Sequence, residues 1–225
     1  MRFPNDSGPI YRETIERGFP AEPWNTASNL IFLIILIYWS FRIYKSPHKH
    51  TFLKFALPLL LVGYIGGTLF HGTRSHEIWL LMDWVPIMLL CLAASIHFFI
   101  KLQAGKVMIT LVSILPFISA FTLQKVPIDP HLRSLIGYIT IATVIMYPIL
   151  QFMRKHAFEQ RYYAMSAILF FLIAITFRSI DLEVNTELFY MGTHWLWHLF
   201  GGITAHFLIA FVFFTETKTA IIKPS

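Results

Sequence analysis

The sequence predicts an all-α integral membrane protein: a seven-transmembrane helix bundle with its N-terminus out and its C-terminus in. Of 225 residues, 56% are apolar and only 13% are charged, where a soluble domain carries about 25% charge. The apolar residues gather in seven long stretches, and the Lys and Arg residues fall in short loops between them.

Each stretch is long enough, or nearly so, to cross a hydrocarbon core of about 30 Å at about 1.5 Å per helical residue. The first, Thr26–Tyr44, follows a polar segment. The second, Phe52–Phe70, ends in a glycine-bearing run just before His71, and the third, Ile78–Ile100, carries Asp83 near its start. Lys106–Leu123 and Leu132–Phe152 follow, then Tyr162–Phe177, the shortest, and last Thr193–Phe214, which opens on THWLWH. Together they fill most of the chain, which reads as one domain over 1–225: a polar outer segment (1–25), the bundle (26–215) and an inner tail (216–225). The first twenty-odd residues hold no apolar run, so no cleaved signal peptide is expected. Cys91 is the single cysteine and can form no intramolecular disulfide.

Short-loop Lys and Arg set orientation. One side holds Arg42, Lys45, Lys49, Lys54, Lys101, Lys106, Arg154, Lys155, Arg161, Lys218 and Lys223; the other holds Arg2, Arg12, Arg17, Arg74, Lys125, Arg133 and Arg178. Eleven against seven puts the N-terminus out. The net charge of +6 is thereby explained by membrane orientation, and no nucleic-acid partner is expected.

Crossing parity then gathers the ionisable residues. His71 ends the second stretch, Asp83 sits roughly 8 Å into the third, and His194 and His198 occupy the first two turns of the seventh. All four share one end of the bundle, whichever way it faces. Ionisable groups in a membrane are costly and mark functional sites facing the interior. His194 and His198 are i,i+4 neighbours on one helical face, the spacing at which two imidazoles reach one ion. His71 supplies a third ligand from another helix. Asp83 is a candidate fourth ligand, but a base beside a metal-bound water fits an open catalytic site better.

The remaining polar groups have plainer readings. His48, His50, His131 and His156 fall in loops, His76 is a weaker competitor for the metal, His97 lies toward the opposite end, and His206 is a hydrogen-bonded core histidine or lines a cavity. In AEPWNTASNL, Asn25 or Thr26 caps a helix that Pro23 begins, while Glu22 is a candidate holder of a hard cation or a brace for the bundle's outer mouth. Arg178 and Asp181 read as a surface ion pair. Gly66, Gly67, Gly201 and Gly202 permit close helix contact.

Four segments, AEPWNTASN, GGTLFHGT, LLMDWVPI and GTHWLWHLFGG, stand in order on the expected helices. In them the chain resembles the CREST superfamily of seven-helix membrane hydrolases, in particular the alkaline ceramidase family and its bacterial relatives. The resemblance implies a zinc ion on His71, His194 and His198, with Asp83 activating its water. It also implies a serine four residues before the first histidine; this chain has Gly67 there, and the neighbouring Thr68 is the candidate substitute. Eukaryotic members carry an N-terminal calcium site, which Glu22 matches, with Glu13 and Glu16 as candidate companions.

The expected function is therefore zinc-dependent hydrolysis of an amide bond in a ceramide-like membrane lipid by metal-activated water. Asp83 moves the proton and Thr68 assists the oxyanion. The alternative is a seven-helix receptor or sensor with a structural zinc site. A b-type cytochrome fits less well, because i,i+4 histidines cannot ligate opposite faces of one haem. The expected location is a membrane, with a bacterial inner membrane favoured and the endoplasmic reticulum or Golgi if the chain is eukaryotic.

Overall fold

The computed structural model describes residues 3–16, 18–128, 130–185 and 187–222. Among them every regular element is helical: α1 (Pro23–Ser28), α2 (Leu30–Tyr44), α3 (Thr51–Thr73), α4 (Glu77–Lys101), α5 (Lys106–Lys125), α6 (Pro130–Lys155), α7 (Arg161–Ser179) and α8 (His194–Ile222). With α1 and α2 taken as one rod, Pro23–Tyr44, seven helices are long and apolar enough to cross a membrane. The predicted helical class and number of crossings are thus met. Large apolar side chains stand exposed along them, among them Phe41 (62%), Leu111 (60%) and Leu169 (56%). Water would penalise such surface, whereas lipid matches it. Arg2, Arg17 and Lys223, counted above toward orientation, lie outside the described residues.

The helices begin and end within three residues of the expected stretches, with one exception. The last helix runs eight residues past Phe214, to Ile222, because no glycine or proline interrupts it there and the helix outlasts its apolar stretch. Helix α6 begins at Pro130, so His131 belongs to its first turn rather than to a loop; proline suits a first helical position.

The chain falls into two compact units, residues 1–87 with 162–225, and residues 88–161. In the first, α1 and α2 each pack against both α3 and α8. Small residues allow the closest approaches. A Cβ on Gly66 would collide with the Met82 backbone of α4, and one on Gly202 would meet Ile31 Cγ2 of α2 at 2.7 Å. Gly201 faces open space, so of that pair only Gly202 makes the predicted close contact. Stacked rings join α7 to α8: Phe170 with Phe207 (5.6 Å), Phe177 with Phe200 (5.6 Å) and Tyr163 with Phe214 (5.0 Å). In the second unit, α5 packs on α6, and Ser95 of α4 donates to the Val144 carbonyl at 2.8 Å.

Candidate metal centre

The site forms where α3 ends and α8 begins. Helix α3 stops at Thr73, and Arg74 closes it in the left-handed conformation (φ 47°), which turns the chain sharply. The last carbonyls of a helix lack intrahelical partners. Here the N-terminal segment supplies them: Glu22 N–H donates to the His71 carbonyl (3.0 Å) and Ala21 N–H to that of Gly72 (2.8 Å). Glu22 is thereby fixed beside His71 and immediately before α1.

Helix α1 opens at Pro23, and its cap is not the expected Asn25 or Thr26. The Glu13 carboxylate accepts the backbone N–H groups of Trp24 (2.8 Å) and Asn25 (2.6 Å), doing from eleven residues upstream what a local cap would do. Helix α8 is capped in a similar way. Asp181 Oδ1 accepts the N–H groups of Thr193 (2.7 Å) and His194 (2.8 Å). Asp181 is 5% exposed; the expected surface ion pair with Arg178 is corrected to a buried helix cap. Arg178 instead reaches His194, with Nη1 3.3 Å from Nδ1.

Three imidazoles converge. His71, His194 and His198 are all buried, and each offers one ligand atom within 4.8 Å of the others. Two of the rings are oriented by acceptors at their far nitrogens. His71 Nδ1 is hydrogen-bonded to the Glu22 carboxylate, and His198 Nδ1 lies 3.1 Å from the Asn25 carbonyl and 2.8 Å from Ser28 Oγ. Such partners fix the tautomer and turn Nε2 toward a metal. His71 Nε2 is buried with no hydrogen-bond partner, a costly state for a polar atom unless something outside the protein satisfies it. The donor set and this orphaned nitrogen fit a metal ion. Tyr11 stacks on His194, centroids 3.8 Å apart, so the N-terminal segment covers the cluster.

Asp83 of α4 comes to the same place. A Cβ built on Gly67 would stand 2.5 Å from Asp83 Oδ1 and 3.2 Å from Asn29 Oδ1. Gly67 precedes His71 by four residues, so the carboxylate lies on the His71 face of α3 about one turn away. It is within electrostatic reach of His71 and Arg178.

A family model described as Ceramidase matches residues 17–223. The chain belongs to the ceramidase family. No match is found among curated proteins. The ceramidase match spans every helix from α1 to α8 and all four of the residues just described.

Within this ceramidase framework the other predicted positions sort themselves. Thr68 lies on α3, and its hydroxyl is buried without a hydrogen-bond partner. His76 is exposed, its Nδ1 accepting Ile78 N–H at 3.0 Å, and so stands apart from the cluster. His206 is half-buried and accepts Trp39 Nε1–H at 3.2 Å, hydrogen-bonded away from the cluster. Glu16 is exposed. At the expected second cation site, both Glu13 oxygens accept backbone N–H groups, and the cation facing Glu22 is the Arg74 guanidinium at 2.5 Å. Burial alone would push the Glu22 carboxyl up; the His71 hydrogen bond and the charges of His71 and Arg74 hold it below the ordinary carboxylate value. Sequence reasoning gave Arg74 a part only in orientation and gave Asp6 and Tyr11 none. The only available signal was an arginine three residues beyond His71.

Proposed function

We propose that this ceramidase-family chain is a zinc-dependent lipid amidase acting on a ceramide-like substrate within the bilayer. The observation that carries the reading is the convergence of three buried imidazoles, one with an orphaned Nε2, beside the carboxylate of Asp83. Three imidazoles suit zinc. Among the described residues the group has three ligands and no fourth. Catalytic zinc sites keep such an open position, whereas structural sites are closed by four protein ligands. This favours the enzyme over a receptor-like protein with structural zinc.

When bound, zinc supplies a Lewis acid and lowers the pKa of water to about 7. His71, His194 and His198 hold it, with Glu22 and the Asn25 carbonyl keeping the first and last rings aligned. Asp83 accepts a proton from the attacking water and returns it to the departing amine nitrogen. The C–N bond breaks, the water oxygen remains on the acyl carbon, and the products are a fatty acid and an amine. The Thr68 hydroxyl, buried and unpartnered, is a donor for the developing oxyanion. Tyr11 and the N-terminal segment screen the cluster, so a two-chain lipid reaches the site between helices, without extraction into water. With the N-terminus outside, as the loop charges favour, the site serves the outer leaflet.

Metal content of the purified protein tests this directly. His71→Ala, His194→Ala and His198→Ala each lose the zinc that wild type retains, while Asp83→Asn keeps zinc and loses fatty-acid release from ceramide. Full zinc retention in the three histidine variants would overturn the assignment.

A further inference from the structure

Arg74 is fully buried, an uncommon state for an arginine unless its charge is paired. All five of its guanidinium N–H donors have acceptors. Nε donates to Asp6 Oδ2 (3.0 Å), Nη2 to Asp6 Oδ1 (2.6 Å) and the Gly8 carbonyl (3.2 Å), and Nη1 to the Pro9 carbonyl (3.0 Å) and Glu22 Oε1 (2.5 Å). The ring of Phe70 lies beneath, 4.6 Å from the guanidinium carbon. Asn5 N–H returns to the Arg74 carbonyl at 3.0 Å. The residue also holds a left-handed backbone (φ 47°), a conformation disfavoured for any side chain with a Cβ. Charge, fork geometry and backbone all serve one placement.

That placement leads to His71. The Glu22 oxygen that accepts from Arg74 also accepts the Thr14 hydroxyl (2.7 Å), while the other oxygen holds His71 Nδ1 and accepts Asn25 Nδ2 at 3.2 Å. Glu22 is therefore fixed at both oxygens, by Arg74 on one side and His71 on the other. Asp6, Arg74 and Glu22 together carry one net negative charge, which favours a divalent cation at the imidazoles beyond.

We propose that Arg74 is a positioning residue for the metal centre. Its guanidinium is anchored by Asp6 and the carbonyls of Gly8 and Pro9, orients the Glu22 carboxylate, and through Glu22 sets the ring of His71. Arg74 makes this link from within the chain, where the sequence pattern suggested a bound cation. The N-terminal segment is accordingly part of the metal site. The proposal rests on the metal-centre reading given above.

The test is zinc affinity of the full-length protein, measured by competition with a chromophoric chelator, with melting temperature recorded alongside. Arg74→Gln is expected to weaken zinc binding about 10- to 100-fold, the range seen when a partner of a ligating histidine is removed. Arg74→Lys recovers only part of the loss, since one ammonium cannot span the fork of acceptors. The deciding measurement is made in a Glu22→Gln background, where Arg74→Gln should change affinity less than about threefold, because residues acting through one another are not additive. An equal loss in both backgrounds, or unchanged affinity in Arg74→Gln while wild type binds zinc, would overturn the proposal alone. A fall in melting temperature without a change in zinc affinity does the same, because a merely structural role predicts it. If Arg74→Gln does not fold, Asp6→Asn takes its place, with a smaller loss that likewise vanishes in the Glu22→Gln background. Absence of zinc binding in wild type overturns the metal-centre reading and this proposal with it.

Discussion

The carboxylate of Asp83 fills the space that a side chain at Gly67 would need. A Cβ on Gly67 would stand 2.5 Å from Asp83 Oδ1, closer than unbonded atoms tolerate. The two positions lie on different helices, so the absence of a side chain on α3 decides where the carboxylate of α4 rests. Gly67→Ala is therefore expected to push Asp83 aside, lowering turnover of a lipid amide about tenfold while zinc content stays at the wild-type level. Gly67→Ser adds a hydroxyl that can donate to the displaced carboxylate, and it should retain more activity than the alanine variant. Overpacking of this kind costs about 1–3 kcal/mol, so melting temperatures measured beside the kinetics separate misplacement from unfolding. Equal activity in wild type and Gly67→Ala would show that Asp83 does not depend on this gap.

Asp181 governs His194 through the backbone rather than through its ring. One oxygen accepts both Thr193 N–H and His194 N–H, and the other accepts Arg12 N–H at 3.0 Å. Asp181→Ala leaves buried donors unsatisfied at the very start of α8, a loss of about 2 kcal/mol on the scale of helix caps. For a chain of this length that is about 5 °C in melting temperature. Zinc affinity should fall as well, because the first turn carrying His194 is then free to fray. Asp181→Asn keeps an acceptor oxygen and should fall between the two. Thermal melts with and without added zinc check both effects.

Ser28 touches the cluster at His198. Its hydroxyl lies 2.8 Å from His198 Nδ1 and donates to the Asn25 carbonyl at 2.9 Å. Ser28→Ala is expected to weaken zinc binding severalfold, less than the loss of Glu22, since the Asn25 carbonyl still holds the ring. Chelator competition on the two variants gives the order, and a Ser28→Ala loss exceeding that of Glu22→Gln would reverse it.

The helices and the histidine cluster were legible in the sequence for simple reasons. Membrane crossing demands a minimum apolar length, and an odd or even number of crossings fixes which ends meet. That His71, Asp83, His194 and His198 share one end of the bundle follows from those two facts, and the cost of ionisable groups in a membrane singles them out. What surrounds them does not follow. Asp6 and Arg74 are 68 residues apart, and the segment that joins them to Glu22 has no periodicity to read. The same gap explains the misread caps: local rules favour Asn25 for α1, yet Glu13, free to fold back from a loop, satisfies the backbone first. Asp181 and Arg178 look like a solvated pair at a helix end, and only the return of the chain at Thr193 buries the acid. Gly201 and Gly202 are indistinguishable by composition; the rotation of α8 alone decides which one meets Ile31.

Tyr11 of the N-terminal segment is laid directly on a candidate ligand. It is 8% exposed, stacked on His194 at 3.8 Å with 20° between the planes, and tilted toward His71 at 5.4 Å. An aromatic so placed restrains the imidazole and keeps water from the cluster. Tyr11→Ala should leave the helices intact, because the ring belongs to a loop, but zinc should pass to a competing chelator about tenfold faster. Tyr11→Phe preserves the stacked ring and should stay near wild type, which separates the face of the ring from its hydroxyl. Release rates of zinc, followed by chelator absorbance after rapid mixing, report this without reference to substrate. Equal rates in wild type and Tyr11→Ala would mean that access to the metal does not run past the Tyr11 ring.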